Sequence, residues 1–326
     1  MEILLNVLFL VIGFVLLVKG ADYFVDGAAA AAKLMKISAL VIGLTVVAFG
    51  TSAPELAVSL SAAVKGSNEI AMGNVVGSNM LNFYLILGIS AVIVPVAAKK
   101  VVLKRDFVVS LAAALIVMVL GAFGTALGRI DGFVLTLCVI SYVAALVIYS
   151  KKKGVESDEE FEVMSPIKCV LCIILGLAAV VLGGQLVVTG AQYIATILGM
   201  SETLIALTVV AFGTSLPELV TSVIAAKKGE SDLALGNVLG SNIFNLLFIL
   251  GLSSFIQPIV PTGDAVMGFR ETLLDLGILI VSSIVFLPFV YKKEKFTRKI
   301  GIAMLVFYVL YFAFIMMRNY GIINIM

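Results

Sequence analysis

The chain has 326 residues, of which 62% are hydrophobic and only 13% charged, with no histidine at all. Soluble domains run at roughly 45–50% apolar and about 25% charged, so this composition points to the lipid bilayer. The lack of histidine excludes imidazole-ligated zinc, histidine-based triads and imidazole proton shuttles, and a net charge of +2 leaves no nucleic-acid footprint.

A bilayer core of about 30 Å is crossed by about 20 apolar residues in a helix. Ten such runs are predicted, near 3–32, 38–64, 69–97, 104–127, 131–149, 167–198, 202–226, 231–257, 267–290 and 298–318. The first opens on Glu2 without a basic stretch before it, so a cleaved leader is not expected. It holds Lys19, read as snorkelling or paired with a nearby acid. Cys138, Cys169 and Cys172 all lie within apolar runs. The single C-x-x-C lacks the second pair that a zinc site needs, and these are read as packing residues.

The one polar linker is 150–166, where Lys151, Lys152 and Lys153 precede Glu156, Asp158, Glu159, Glu160 and Glu162. It divides a five-helix unit, 1–149, from a second, 167–326. Of 22 basic residues, 17 fall in the connections after the odd-numbered spans and 4 on the other side, with Lys19 left over. The positive-inside rule makes the first set cytoplasmic. A multi-pass cell-membrane protein is expected, with linker 150–166 in the cytoplasm and both termini outside. Tyr149, Tyr291 and Tyr320 sit at span ends, where an interfacial aromatic belt forms.

Self-similarity is the strongest signal. Residues 43–95 and 206–258 align without a gap at an offset of 163, with about 31 identities in 53 positions. Gly13, Gly20, Gly27 and Ser38 extend the match to Gly176, Gly183, Gly190 and Ser201. Five spans per repeat is an odd number, so the second copy enters the membrane upside down. The expected fold is therefore an all-α membrane protein of ten transmembrane helices, arranged as two inverted-topology five-helix repeats. That architecture is a mark of secondary transporters, whose substrate sites lie near the midplane.

Each repeat carries GTSxPE mid-span, as Gly50–Glu55 and Gly213–Glu218. Pro54 cannot donate to the Gly50 carbonyl, nor Pro217 to that of Gly213. Carbonyls around Ala48–Thr51 and Ala211–Thr214 are expected to leave the helix ladder, which at membrane depth is tolerated only in a protein-lined cavity. Glu55 and Glu218 have no basic residue in their motifs, and an acid at a helix centre costs roughly 2.5–3.5 kcal/mol on insertion scales. Two such carboxylates beside free carbonyls suit a hard divalent cation. The following helices carry stripes of neutral oxygens at i, i+4 and i+8: Asn74, Ser78 and Asn82, then Asn237, Ser241 and Asn245. Gly73/Gly77 and Gly236/Gly240 on those helices permit close backbone approach. Asn79 and Asn242 also repeat and are equally readable as packing hydrogen bonders.

With GTSxPE followed by GNxxGSNxxN twice at equal spacing, the chain resembles the calcium/cation antiporter superfamily, and within it the prokaryotic sodium/calcium exchangers. The resemblance implies four cation positions between the repeats. It places calcium on the carboxylates of Glu55 and Glu218 and the carbonyls of Thr51 and Thr214. One sodium position would draw on Ser52, Ser241 and the Ala48 carbonyl, the other on Ser215, Ser78 and the Ala211 carbonyl. Asn82 and Asn245 would line the middle position. Some members, potassium-dependent exchangers among them, have Asp where this chain has Asn245, which favours potassium independence here.

The function implied is exchange of about three sodium ions for one calcium ion by alternating access, with the stoichiometry taken from the resemblance. Ca2+ and Na+ are then cargo, no resident cofactor or enzymatic activity is expected, and a monomer within the bilayer suffices. The rival of the same fold is a calcium/proton antiporter, and the rival of another class is a passive cation channel. Serines at 52, 78, 215 and 241 favour sodium, because neutral oxygens do nothing for a bare proton.

Overall fold

The computed structural model describes residues 2–66, 68–124, 126–153, 164–200, 209, 211–259, 265–320 and 322. Most of the acidic linker (154–163) and the opening of the seventh predicted span (201–208 and 210) lie outside the described residues.

In chain order the helices are α1 (Glu2–Leu34), α2 (Ala39–Thr51), α3 (Ala53–Val64), α4 (Asn68–Met80), α5 (Leu87–Ile93), α6 (Lys100–Gly124), α7 (Arg129–Lys153), α8 (Pro166–Ile197), α9 (Ala211–Thr214), α10 (Leu216–Lys227), α11 (Ser231–Ile243), α12 (Leu250–Ile256), α13 (Ala265–Lys293) and α14 (Arg298–Asn319). π-helical turns fill Gly43–Val47 within α2, Leu81–Ile86 between α4 and α5, and Phe244–Ile249 between α11 and α12. Among the described residues, eight helices or helix runs are long and apolar enough to cross a membrane, and the bent pair α2–α3 makes a ninth.

Burial separates the centre from the rim. In an 18-residue apolar stretch of each run, 94% of residues are buried within Ser231–Ile256 and 72% within Ile70–Ile93, against 22% within Glu2–Leu34. The two central runs carry the Asn/Ser stripes, and the rim helices turn Leu, Ile, Val and Phe outward, as lipid contact demands.

α1 and α8 form one antiparallel seam. A Cβ on Gly13 would lie 2.8 Å from the Gly183 carbonyl oxygen, and one on Gly20 would lie 2.9 Å from that of Gly176. Gly27 faces Cys172 and Ile173, and Gly190 faces Asn6 and Leu10. Small residues let the two backbones touch, which in lipid replaces the missing hydrophobic drive between helices. Gly13–Gly183 and Gly20–Gly176 are the same contact with the two repeats exchanged. At 33 residues α1 is about 50 Å long, more than a bilayer core, so it tilts or projects.

The break predicted at Pro54 falls at Ser52, with ψ at 8°, and α2 and α3 are bent by 50°. Ser215 breaks the second repeat likewise, with ψ at 7°. Proline occupies the first turn of α3 and α10, where a missing N–H costs nothing. The carbonyls are less free than expected, since that of Ala48 keeps its ladder bond from Ser52 N at 3.1 Å.

Two predicted boundaries are corrected. Lys151–Lys153 belong to α7 rather than to a linker, because basic residues suit a helix C-terminus. The third span ends at Ile93, where Val94, preceding Pro95, turns extended. Val96–Ala97 (β1) then pairs antiparallel with Lys295–Phe296 (β2). Lys19 has no ion pair among the described residues; Asp22 and Asp26 pair with Lys228 at 2.8 and 2.6 Å. The three cysteines are free thiols.

Candidate cation site

Where α3 and α10 begin, their first turns meet. Glu55 and Glu218 are both fully buried, each in the first turn of its helix, where the macrodipole favours negative charge. Neither has a cationic partner among the described residues. Hydroxyls supply the contacts instead. Ser215 donates to Glu55 Oε1 at 2.9 Å and Ser52 to Glu218 Oε1 at 3.0 Å. Ser78 donates to Glu55 Oε1 at 3.4 Å and lies 3.3 Å from Ser215 Oγ.

What is left without a partner defines the site. Buried oxygens bearing no hydrogen bond among the described residues include Glu55 Oε2, Glu218 Oε2, Asn82 Oδ1, Asn245 Oδ1 and Ser241 Oγ. Unsatisfied buried acceptors at membrane depth are costly, and a native protein keeps them where something else satisfies them. All five are hard oxygen donors with no nitrogen or sulfur among them, the chemistry that Ca2+ and Na+ select.

Thr51 is fully buried, and its hydroxyl donates to Asn237 Oδ1 at 3.0 Å. Thr214 is half-buried at the end of α9. Ala48 is fully buried in α2, and Ala211 opens α9. Asn74 and Asn237 do not face the carboxylates as free oxygens. Their amides tie the Glu55 and Glu218 carbonyls to Ser59 and Ser222, at 2.9 Å to each serine. Gly236 and Gly240 do permit close approach, with Cβ positions 2.8 Å from the Leu40 carbonyl oxygen and 2.6 Å from Ala48 Cβ. Gly73 and Gly77 are exposed, and a Cβ on either would meet no described atom within 4 Å beyond the adjoining backbone of its own helix.

The sodium/calcium exchanger protein family matches residues 5–149 and 168–317. The chain belongs to the sodium/calcium exchanger family. It is 34% identical to the sodium/calcium exchanger MaX1 of Methanosarcina acetivorans, covering 94% of this chain and 97% of that one. It is 37% identical to the putative antiporter CaxA of Alkalimonas amylolytica, over 78% of this chain and 82% of the relative. A solved structure of the sodium-calcium exchanger NCX_Mj, soaked with Na+ and Sr2+, superposes with a TM-score of 0.82 at 34% identity, covering 95% of this chain and 98% of that one. As a member of this family the chain is a multi-pass membrane antiporter of cations and not an enzyme.

Two residues of this exchanger carry more than their sequence signal suggested. Asn79 and Asn242 each donate to the other's backbone carbonyl, at 3.2 and 3.3 Å. Their own Oδ1 atoms accept from Asn245 Nδ2 at 3.0 Å and Asn82 Nδ2 at 3.2 Å. The Asn82 and Asn245 amides are thereby oriented, each with its nitrogen bound and its Oδ1 without a partner among the described residues. The π turns contribute as well: the carbonyls of Asn82 and Asn245 accept from Leu87 and Leu250, five residues on. Such turns are uncommon and concentrate at functional sites. Nothing in the sequence marks them.

Proposed function

We propose that this member of the family exchanges sodium for calcium, about three ions for one, by alternating access and without potassium. The observation that carries this is the set of five unpartnered buried oxygens, two of them on carboxylates that no cationic side chain among the described residues neutralises and three on Asn82, Asn245 and Ser241. Glu55, Glu218 and the Thr51 and Thr214 carbonyls hold calcium. Ser52, Ser241 and the Ala48 carbonyl hold one sodium ion; Ser215, Ser78 and the Ala211 carbonyl hold another. Asn82 and Asn245 line the middle position. The pairing of Ser78 with Ser215 on Glu55 supports one of these sets.

Coupling follows from sharing. Calcium and the sodium set both need Glu55 and Glu218, so neither is bound while the other is present. Amides at both Asn82 and Asn245 limit the formal charge of the site to two, which supports potassium independence. The two units, 1–149 and 167–326, are inverted repeats of five spans each, with 150–166 cytoplasmic and both termini outside. The reciprocal hydrogen bonds Ser52–Glu218 and Ser215–Glu55 support that pseudo-two-fold relation, and the α1–α8 glycine seam is the sliding face for alternating access.

Calcium-45 uptake into sodium-loaded proteoliposomes tests the reading. An outward sodium gradient drives uptake, potassium makes no difference, and a pH gradient does not substitute. Uptake driven by pH alone would establish the proton-coupled alternative instead.

A further inference from the structure

Three buried hydroxyls take no part in the site just described. Ser90 and Ser253 are fully buried and Thr221 is 1% exposed, and none has a hydrogen-bond partner among the described residues. A serine or threonine in a helix can donate back to the carbonyl four residues earlier. Thr45, Thr136 and Ser254 do so here, to Val41, Gly132 and Leu250. A hydroxyl that forgoes this bond where no water surrounds it is unsatisfied, and it calls for a partner from elsewhere.

Their placement relates them to the carboxylates. α5 turns Gly88 and Ala91 toward α14, where Gly88 abuts Leu305 and Gly301 abuts Ala91. Ser90 stands about 200° from Gly88 around the axis. It therefore points away from α14, toward the side on which α10 packs. Thr221 follows Glu218 by three residues, on the same side of α10. From the carboxylates, α10 runs on to Lys227 and Lys228, and α5 leads toward Lys99 and Lys100. Ser253 repeats the arrangement. α12 turns Gly251 and Ser254 toward Thr136 and Gly132 of α7, which leaves Ser253 on the side where α3 packs. That seam leads to the other end of the molecule, at Lys65 and Arg129. The first repeat has Val58 where the second has Thr221.

We propose that Ser90 and Thr221 line the route by which cations pass between the carboxylate pair and the lysine-rich end, and that Ser253 serves the opposite route. The inference rests on the exchange reading. A cation leaving the carboxylates has shed part of its water, and a neutral hydroxyl oxygen replaces a water ligand without adding charge to trap it. With the seam closed, as here, the hydroxyls have no partner. With the seam open, water or the passing ion satisfies them. Two hydroxyls stand on the lysine-rich route and one on the other, so the two routes are unequal.

Cysteine accessibility decides it. The full chain carries C138A, C169A and C172A, with one added substitution among Ser90→Cys, Thr221→Cys, Ser253→Cys and Ser254→Cys. Reconstituted protein is exposed to a membrane-impermeant methanethiosulfonate cation from one face at a time, and labelling is read by intact mass. The expected result is labelling of Ser90→Cys and Thr221→Cys from one face, Ser253→Cys from the other, and Ser254→Cys from neither. In the native-cysteine background, Ser90→Ala combined with Thr221→Val slows exchange roughly tenfold, the loss of a charge-assisted contact, and Ser254→Ala leaves it unchanged. No labelling of Ser90→Cys or Thr221→Cys under any sodium or calcium condition overturns the route, as does equal slowing by Ser254→Ala. Labelling needs no flux, so the two readings fail separately. One-sided labelling in a protein without sodium-driven calcium uptake removes the exchange reading alone, and uptake without labelling removes the route alone.

Discussion

Ser215 donates a 2.9 Å hydrogen bond to Oε1 of Glu55, a residue 160 positions earlier in the chain. Ser52 returns the bond to Glu218 at 3.0 Å. Each carboxylate is therefore aimed by a hydroxyl of the other repeat, with one oxygen held and the second left without a partner. A charge removed in one repeat disturbs the geometry of both.

Glu55→Gln and Glu218→Gln are each expected to reduce calcium-45 uptake to background. Both proteins should still fold, because an amide fills the same volume and relieves two like charges buried together. A ligand that binds only the folded state at 100 times its Kd stabilises it by about 2.7 kcal/mol. Calcium should accordingly raise the melting temperature of the unaltered protein and leave both variants unmoved. A calcium-dependent shift in either variant contradicts the assignment of the pair.

Ser52→Ala and Ser215→Ala should weaken sodium activation without abolishing it. Hydrogen bonds to charged groups contribute about 1.5–3 kcal/mol, and every 1.4 kcal/mol is tenfold in affinity. A loss of tenfold or more in apparent sodium affinity is expected from each, measured as sodium inhibition of calcium uptake. The two losses should be similar, since the residues are counterparts in the two repeats.

Much of this site was legible in the sequence because buried charge is so costly in lipid. Glu55 and Glu218, with prolines beside them and serine–asparagine stripes at helical spacing, have few readings other than a cation site. Long apolar runs fixed the helices for a similar reason. The parts that escaped depend on atoms rather than on residue type. Asn74 and Asn82 lie on one stripe, yet Asn74 tethers a carbonyl and Asn82 offers its oxygen, a difference set by which neighbour each amide meets. The π turn that begins at Leu81 has no composition of its own. Val96 pairs with Phe296 because two distant segments leave the membrane side by side, which no local pattern reports.

Asn79 and Asn242 should behave as positioning residues. Asn79→Ala leaves the amide nitrogen of Asn245 with only its 3.1 Å bond to Ser78 Oγ among the described residues and takes the side-chain donor from the Asn242 carbonyl, and Asn242→Ala acts likewise on Asn82 and the Asn79 carbonyl. Each hydrogen bond lost in this way is worth about 0.5–1.5 kcal/mol. Both variants should melt lower and lose apparent calcium affinity, while Asn79→Asp, which keeps an acceptor for Asn245, recovers more affinity than alanine does. Equal affinity loss in the alanine and aspartate variants would reduce Asn79 to packing.

At the rim, Arg318 makes a bidentate pair with Asp275, at 3.0 and 2.9 Å, and reaches Glu271 at 3.3 Å. Arg318 and Asp275 side chains are only 8% and 9% exposed, so the pair joins α14 to α13 out of water. Removing one partner of a buried pair costs about 3–5 kcal/mol, whereas replacing both by apolar groups is often neutral. Arg318→Leu should lower stability by about that amount, and adding Asp275→Leu should restore most of it. The readout is detergent-phase unfolding, with calcium affinity unchanged in the double variant because the site lies elsewhere.

The α1–α8 seam depends on residues without a side chain. A Cβ on Gly183 would sit 2.7 Å from the Gly13 carbonyl oxygen and from Leu17 N, both backbone atoms that cannot rotate away. Gly20 faces Ala179 Cβ at 2.8 Å and the Gly176 carbonyl at 2.9 Å. Overpacking of this kind typically costs about 1–3 kcal/mol, and here it also separates two backbones whose contact depends on small residues. Gly183→Val should slow exchange more than it lowers calcium binding at equilibrium, because Glu55 and Glu218 are held by α3 and α10 rather than by this seam. Gly199→Ala, at a turn with φ of +78° where the added Cβ would meet no described atom within 4 Å beyond its chain neighbours, should instead cost stability through backbone strain and leave the α1–α8 contact intact. Exchange rate, calcium binding and melting temperature measured on both variants separate the two effects. If Gly183→Val exchanges at the unaltered rate, close contact along this seam is not needed for transport.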